Sequence, residues 1–401
     1  MSDLYDYVVV GAGIVGVSTA WQLQQQLPDK RILIVEKESE VGLHQTGHNS
    51  GVIHAGVYYA PGSLKAQFCR EGLEQTIQFC KEHGIAYEQC GKLIVATNDI
   101  ELERLHVLYE RCHLNQLNVE WLEAQELHQR EPNISGVAAL LVHDTGIADY
   151  PEITKQMASN FCDLGGEIQF DCCVTDLLET SEGVELLTNK GKINALFLIS
   201  CSGLMSDRLV SMLNIPIDFA IVPFRGEYYR LPPHSSFVKK HLIYPVPDPD
   251  LPFLGVHLTR MIDGSVTVGP NAVLGWKREG YGSFNISARD VIDLLFFKGT
   301  WRLMFRYFKT ACQESWASLW KPSYLKQVQK YCPSVVLNDL EPYPAGIRAQ
   351  AVLADGSLVH DFLFVSSDRS FHVCNAPSPA ATSAMPIGKH IVAQVLAKQA
   401  H

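Results

Sequence analysis

Three glycines near the amino terminus, in Gly11-Ala12-Gly13-Ile14-Val15-Gly16, have the spacing G-x-G-x-x-G, and an acid, Glu36, follows the last of them by 20 residues. That spacing suits a dinucleotide. The first glycines allow a tight turn and close approach of a pyrophosphate, a helix opening there presents N–H donors, and an acid ending the next strand can accept from a ribose hydroxyl. The flanking residues agree. Tyr7-Val8-Val9-Val10 reads as a strand, Val17, Ala20, Trp21 and Leu23 as a helix face, and Arg31 to Val35 as a second strand that delivers Glu36. No second glycine fingerprint follows, so one dinucleotide is held permanently. After Lys37 comes a polar loop of small residues, Gly42 to Gly56, which includes Thr46, Asn49, Ser50, Gly51, Val52 and His54 and can pack along an extended cofactor. FAD fits that arrangement better than NAD.

The elements that must position these residues follow from hydrophobic periodicity. A helix opens at Ser63 with Leu64, Phe68, Leu73 and Ile77 on one face and stops at Gly84, and a charged helix runs from Asp99 to about Asn115. Between them, Lys92 to Thr97 has an alternating strand pattern. A helix after Tyr150-Pro151, a strand from Glu167 to Phe170 and a strand-like run from Ala195 to Ser200 restore an α/β rhythm, and Leu254 to Val268 reads as a hairpin. Small residues from Asn375 to Thr382 precede a helix through Met385, Ile387, Ile391, Val392 and Val395.

At 401 residues, 47% hydrophobic and 19% charged, the chain has room for two domains or at most three. A net charge of −10 argues against a nucleic-acid partner, which would need a basic face. The eleven cysteines include no C-x-x-C pair, so neither a disulfide framework nor a metal site is suggested, and a reducing cytoplasm fits. The apolar stretch from Tyr7 to Trp21 is too short to span a bilayer and follows Asp6 where a secretory signal has basic residues.

Several further motifs carry a resemblance: Asn49-Ser50-Gly51-Val52-Ile53-His54, Pro223 to Tyr229, Gly269-Pro270-Asn271-Ala272, Gly346-Ile347-Arg348-Ala349-Gln350 and Asn375 to Thr382. With the glycine fingerprint they resemble the FAD-dependent oxidoreductases that include D-amino-acid oxidase, sarcosine oxidase and glycerol-3-phosphate dehydrogenase, most closely the branch that oxidises L-2-hydroxyglutarate. The resemblance implies an α/β (overall α+β) fold: a Rossmann-like FAD domain with an inserted antiparallel-sheet substrate domain. Residues 1–85, 145–220 and 335–401 would form the first, residues 86–144 and 221–334 the second. It also implies hydride transfer from the hydroxyl-bearing carbon to flavin N5, giving 2-oxoglutarate, with electrons passed to quinone or oxygen. An amine or amino-acid oxidase and a glycerol-3-phosphate dehydrogenase would share the fold, and a non-catalytic flavin-binding partner is the alternative of another class.

Such chemistry needs a base for the hydroxyl proton and cations for the carboxylates. His54, which the resemblance places at the isoalloxazine, and His257, on the probable strand Gly255 to Arg260, are the candidate bases; packed core histidines are the alternative. Arg225, Arg260 and Arg348 stand beside glycine or among strand residues and can fork a carboxylate, or else form structural ion pairs. Tyr58, Tyr59 and Tyr228 are candidate donors. The resemblance brings Gly203, and with it Val174, to the adenosine half of FAD, and the loop containing Pro377, Ser378, Pro379, Ala380, Ala381 and Thr382 to the flavin. Prolines lack an N–H, so Ala380, Ala381 or Thr382 must supply the donors where negative charge develops.

Leu294 to Lys309 interleaves bulky aromatics with Lys298, Arg302, Arg306 and Lys309 in an otherwise acidic chain. Two readings suit it: an interfacial helix docking on the inner face of a membrane to reduce quinone, or a helix covering the inserted sheet.

Overall fold

The computed structural model describes residues 4–232, 237–249, 254–282 and 286–399. The β-branched run at the amino terminus forms the strand Leu4–Val10, flanked in parallel by Ile32–Val35 on one side and Gly191–Ser200 on the other. Burial on both faces explains why Val8, Val9 and Val10 are apolar without alternation. Glu167–Gln169 extends this eight-stranded sheet in parallel beyond Ile32–Val35, and Ser370–Asn375 pairs in parallel with Gly191–Ser200. The helix Ile14–Gln26 packs against two others, Tyr150–Asp163 and Ala384–Gln399. Val17, Ala20, Leu23, Ile387, Ile391 and Val392 meet there in one buried cluster with Val9 and Ile34 of the sheet.

A second sheet of nine strands holds Phe219–Arg230, Leu242–Pro245, His257–Arg260 and Val266–Gly269 together with Lys92–Ala96, Ala138–Val142 and Val119–Glu123. It is antiparallel except where Leu242–Pro245 runs parallel to Lys92–Ala96. Lys92–Ala96 is buried at all five positions, not alternately, because both faces of the strand are covered: Leu93 and Val95 pack into one hydrophobic cluster and Ile94 and Ala96 into another. The strand Glu341–Leu353, grouped by the sequence division with the nucleotide-binding part, pairs with Phe219–Arg230 in this second sheet from Phe219↔Leu353 to Arg230↔Glu341. Its Ile347 and Ala351 pack, together with Ile221 of the partner strand, against Leu204, Val210 and Cys374 of the first layer, so this long ladder reaches both layers.

The basic and aromatic stretch is three short helices, Ala288–Phe296, Lys298–Arg306 and Phe308–Leu319, not one. Leu294 and Leu303 are buried against Val222, Val352 and Leu358, so one side covers the sheet. The other leaves Phe296, Phe305 and Phe308 exposed at 83%, 75% and 63%. Among the described residues no helix is long and apolar enough to cross a membrane.

Candidate active site

The first turn is built for close approach. Gly11 has φ +102°, and a Cβ there would lie 2.7 Å from the Cys201 carbonyl oxygen; one on Gly16 would lie 2.0 Å from the carbonyl oxygen of Gly11. Gly13 caps the helix Ile14–Gln26 without any side-chain hydrogen bond, and the first turn holds no acid, so the positive end of the helix is open to an anion. Ile14 N–H donates to Thr46 Oγ1 at 3.1 Å. Glu36 accepts from Ala12 N–H through Oε2 at 2.6 Å and from Glu38 N–H through Oε1 at 3.0 Å. These bonds fix the carboxylate beside the turn and leave it further acceptor sites. Asn49 holds the polar loop in shape: its Nδ2 donates to the Thr46 carbonyl at 2.6 Å, and its Oδ1 accepts from Gly51 N–H at 2.7 Å.

A cavity of about 750 Å³ starts at this turn. Gly11, Gly13, Ile14, Val15 and Glu36 line it, with Lys37, which pairs with Glu279. Val174 and Gly203 join from the neighbouring segments, and Thr46, Asn49, Ser50 and Val52 from the polar loop. The carboxy-terminal loop contributes Pro377, Ser378, Pro379, Ala380 and Ala381. His54, Tyr58, Tyr59, Tyr228, His257 and Arg348 line the same cavity.

His257 is 5% exposed. Its Nδ1 lies 2.9 Å from the Gly255 carbonyl oxygen, which can only accept; Nδ1 therefore carries the hydrogen and Nε2 the lone pair. The ring stacks on Tyr244 at 4.0 Å between centroids. Burial, above all, pushes the pKa of His257 down to about 3, with Arg348 and Lys92 adding repulsion. His54 is likewise pushed down to about 3, first by burial and then by Lys92, His257 and Lys65. Both rings are neutral at physiological pH. Burial also lowers the pKa of Arg348, while Tyr228, Tyr244 and Glu314 oppose the shift.

A family model described as "FAD dependent oxidoreductase" matches residues 6–394. The chain belongs to that family. It is 55% identical over 393 residues to the L-2-hydroxyglutarate dehydrogenase of Escherichia coli (strain K12), covering 98% of this chain and 93% of that protein. It is 43% identical over 410 residues to the mitochondrial L-2-hydroxyglutarate dehydrogenase of Nematostella vectensis, covering 97% and 90%. Among solved structures, L-alpha-glycerophosphate oxidase from Mycoplasma pneumoniae with FAD bound superposes with a TM-score of 0.79 at 22% identity, over 98% of this chain and 95% of that one. Glycine oxidase from Geobacillus kaustophilus gives 0.72 at 17%, over 98% and 95%. At such identities the likeness is one of fold.

The cofactor of this FAD-dependent oxidoreductase fits the residues present. The turn that a Cβ would fill, the uncapped helix start and the pinned acid stand at one end of a cavity whose size lies in the upper range for ligand sites. Several expected contacts act from behind its wall. Gly16 and Gly51 do not line it. Nor does Thr382, whose Oγ1 accepts from His54 N–H at 3.1 Å, lies 2.9 Å from Tyr150 Oη and donates to the Val52 carbonyl at 3.2 Å, tying the carboxy-terminal loop to the strand Val52–Ile53. Ala380 N–H closes a turn on the Pro377 carbonyl at 3.0 Å, which leaves Ala381, itself a lining residue, as the candidate donor.

Two of the three candidate arginines lie elsewhere. Arg225 Nη1 donates to the Gly280 and Gly282 carbonyls at 2.6 and 2.8 Å, and Arg260 Nη1 to Glu88 Oε1 at 3.1 Å and the Lys240 carbonyl at 2.9 Å. Strand parity is the reason. Arg225 pairs with Ile347 and Phe224 with Arg348, so Arg225 and Arg348 face opposite sides of one ladder; Arg260, three residues from His257 on one strand, faces away from it. Sequence reasoning missed two lysines. Lys65 lines the cavity, with Nζ 4.9 Å from the Tyr59 ring centroid, and helix amphipathicity alone could have flagged it. Lys92 lies deeper, against the rings of Tyr58 and Tyr244, and no local signal marks it.

Proposed function

We propose that this FAD-dependent oxidoreductase oxidises L-2-hydroxyglutarate to 2-oxoglutarate. The observation that carries the reading is the meeting, in one cavity with the nucleotide turn, of a buried guanidinium, Arg348, with two histidines that burial keeps neutral. The name shared by the relatives at 55% and 43% identity supports the same substrate.

FAD, when bound, supplies the hydride acceptor. Arg348 binds a substrate carboxylate as a planar fork, and Tyr58 and Tyr228 stand ready to donate to oxygens of the bound acid. A neutral histidine of the His54–His257 pair takes the hydroxyl proton. At His257 the accepting atom is Nε2, because the Gly255 carbonyl holds the hydrogen on Nδ1. The enclosing rings of Tyr58, Tyr59 and Tyr244 keep water from that proton. Anaerobic bleaching of the flavin tests the reading: L-2-hydroxyglutarate should bleach it, and glycerol 3-phosphate and glycine should not. Bleaching by either of the latter alone moves the protein to another branch of the family, and none by any of them leaves a flavin-binding partner.

In the same reading, residues 1–85, 145–220 and 335–401 serve FAD and residues 86–144 and 221–334 the substrate, with the strand Glu341–Leu353 common to both layers. The protein works in the cytoplasm, docks on the inner face of the cell membrane and passes electrons to quinone or oxygen. Exposed Phe296, Phe305 and Phe308 beside Lys298 and Lys309 support the docking. Arg302 and Arg306 are partly committed, with Nη1 atoms 2.7 and 3.5 Å from the Ala354 and Gly356 carbonyl oxygens. Flotation with anionic liposomes should therefore respond more to Phe296, Phe305 and Phe308 changed together to Ser than to Arg302→Glu; identical flotation of the triple variant and the unaltered protein rejects docking.

A further inference from the structure

Lys92 opens the strand Lys92–Ala96 at 1% exposure. The pairings Leu242↔Lys92 and Ile243↔Leu258 place it on the same sheet face as Tyr244 and His257. Its ammonium lies 4.7 Å from the centroid of the Tyr58 ring and 5.0 Å from that of Tyr244. Both rings line the cavity, and Lys92 lies behind them. The titratable groups around it are Tyr58, Tyr244, His54 and His257, Cys69 on the helix Leu64–His83, and Cys112 with Arg111 on the helix Asp99–Leu114. No carboxylate pairs with it among the described residues. The Tyr58 hydroxyl, meanwhile, is a buried polar atom without a hydrogen-bond partner.

A buried cation without a counter-ion destabilises a fold, and an unpartnered buried hydroxyl does so too. Both strains sit at one wall of one cavity, and one ligand chemistry relieves both: an anion that enters as the missing counter-charge and accepts from Tyr58 Oη. We propose that Lys92 is a positioning residue that selects a doubly charged acid over a singly charged one, acting through the Tyr58–Tyr244 layer. The inference rests on the substrate reading above and deepens it. A cation against one face of a phenol ring draws electron density from it, so the hydroxyl becomes a stronger donor. The low-dielectric wall leaves the charge poorly screened, and each negative charge on the substrate gains separately. Burial lowers the pKa of Lys92 to about 8, so the group stays predominantly charged at neutral pH and discharges at mildly alkaline pH.

The test compares L-2-hydroxyglutarate with its 5-amide, a singly charged analogue of the same shape, on the flavin-loaded enzyme and on Lys92→Met. The ratio of kcat/KM for the two substrates should fall at least tenfold in the variant, with the loss for the diacid carried by KM more than by kcat. The melting temperature should hold or rise, since an apolar side chain replaces a buried charge. Equal losses on both substrates, or an unchanged ratio, overturn the proposal. Should the variant fail to retain flavin, the unaltered enzyme decides: its preference for the diacid should weaken between pH 7 and 9.5 as Lys92 discharges, and a constant preference overturns the role. Turnover of L-2-hydroxyglutarate by the unaltered enzyme is the control that separates the two readings. Its absence removes the substrate assignment and this inference with it; its presence with an unaltered ratio removes only the role of Lys92.

Discussion

The two ends of the cavity are made of different material. At the nucleotide end the working groups are backbone: a turn too tight for a Cβ, a helix start without a capping side chain, and one carboxylate held by two amides. At the reactive end they are side chains, Arg348, His257 and the pair His54 and Tyr58, converging from three separate stretches of chain, with Lys92 behind them. Backbone sites tolerate almost no change of residue, because geometry itself is the function. Side-chain sites lose one contribution at a time. The contrast gives a scale on which the effects of substitution should fall.

The largest effect belongs to the turn. In Gly16→Ala the new methyl would lie 2.0 Å from the Gly11 carbonyl oxygen, a clash between backbones that no rotamer relieves. Overpacking of this sort costs about 1–3 kcal/mol or more, and here it displaces the turn that must meet the pyrophosphate. The purified variant should be colourless, with flavin content measured from its visible absorbance. A yellow, active Gly16→Ala would break the distinction between the two ends.

The same contrast explains what was legible. The turn, the helix behind it and Glu36 lie within one short stretch, and glycine spacing encodes backbone geometry directly, so the first 36 residues announce their purpose. The helix Leu64–His83 was equally plain: Ser63 Oγ accepts from Ala66 N–H at 3.2 Å and Gly84 takes φ +66°. The reactive end has no such local code. Arg225, Arg260 and Arg348 occupy similar strand contexts, and only the register of Phe224 against Arg348 decides which of them faces the cavity. Lys92 reads as the polar start of a strand; its burial comes from Tyr58 and from Tyr244, far along the chain. The strand Glu341–Leu353 is legible as a strand but not as belonging to one part, since it is long enough to serve both layers.

The histidines come next in size. Removing a general base lowers rate by about 10²–10⁴-fold, and His54→Gln and His257→Gln should retain flavin while one of them falls by that amount. The larger loss in kcat identifies the base; losses under tenfold in both assign proton removal elsewhere. Because both pKa values lie at about 3, kcat/KM should show no acid limb near pH 6.5. Arg348→Met should follow, with kcat/KM for L-2-hydroxyglutarate down by roughly 10²–10³-fold, the range expected when one partner of a buried charge contact is removed. Arg225→Met and Arg260→Met, whose guanidiniums lie outside the cavity, should stay within threefold. If all three arginine variants lose equally, parity is not what separates them.

The smallest effect is on stability, and its sign follows from linkage. The folded state holds His54 and His257 near pKa 3, against 6.5 for the free side chain, so below pH 6.5 the unfolded chain binds protons that the folded chain refuses. Their contribution is therefore present above pH 6.5 and erodes as pH falls toward about 3. Between pH 6.5 and 5 each histidine should remove about 1–2 kcal/mol, at 1.36 kcal/mol per unit of pKa. His372, also buried and lowered to about 4, loses in the same direction, as do carboxylates with lowered pKa such as Glu131 and Asp290, so a single melting curve does not isolate the pair. The difference between proteins does: melting temperature plotted against pH should fall less steeply on the acid side for His257→Gln than for the unaltered enzyme. Parallel curves would mean that the reactive end carries no stored cost of burial, and the contrast between a rigid backbone site and a strained side-chain site would lose its energetic half.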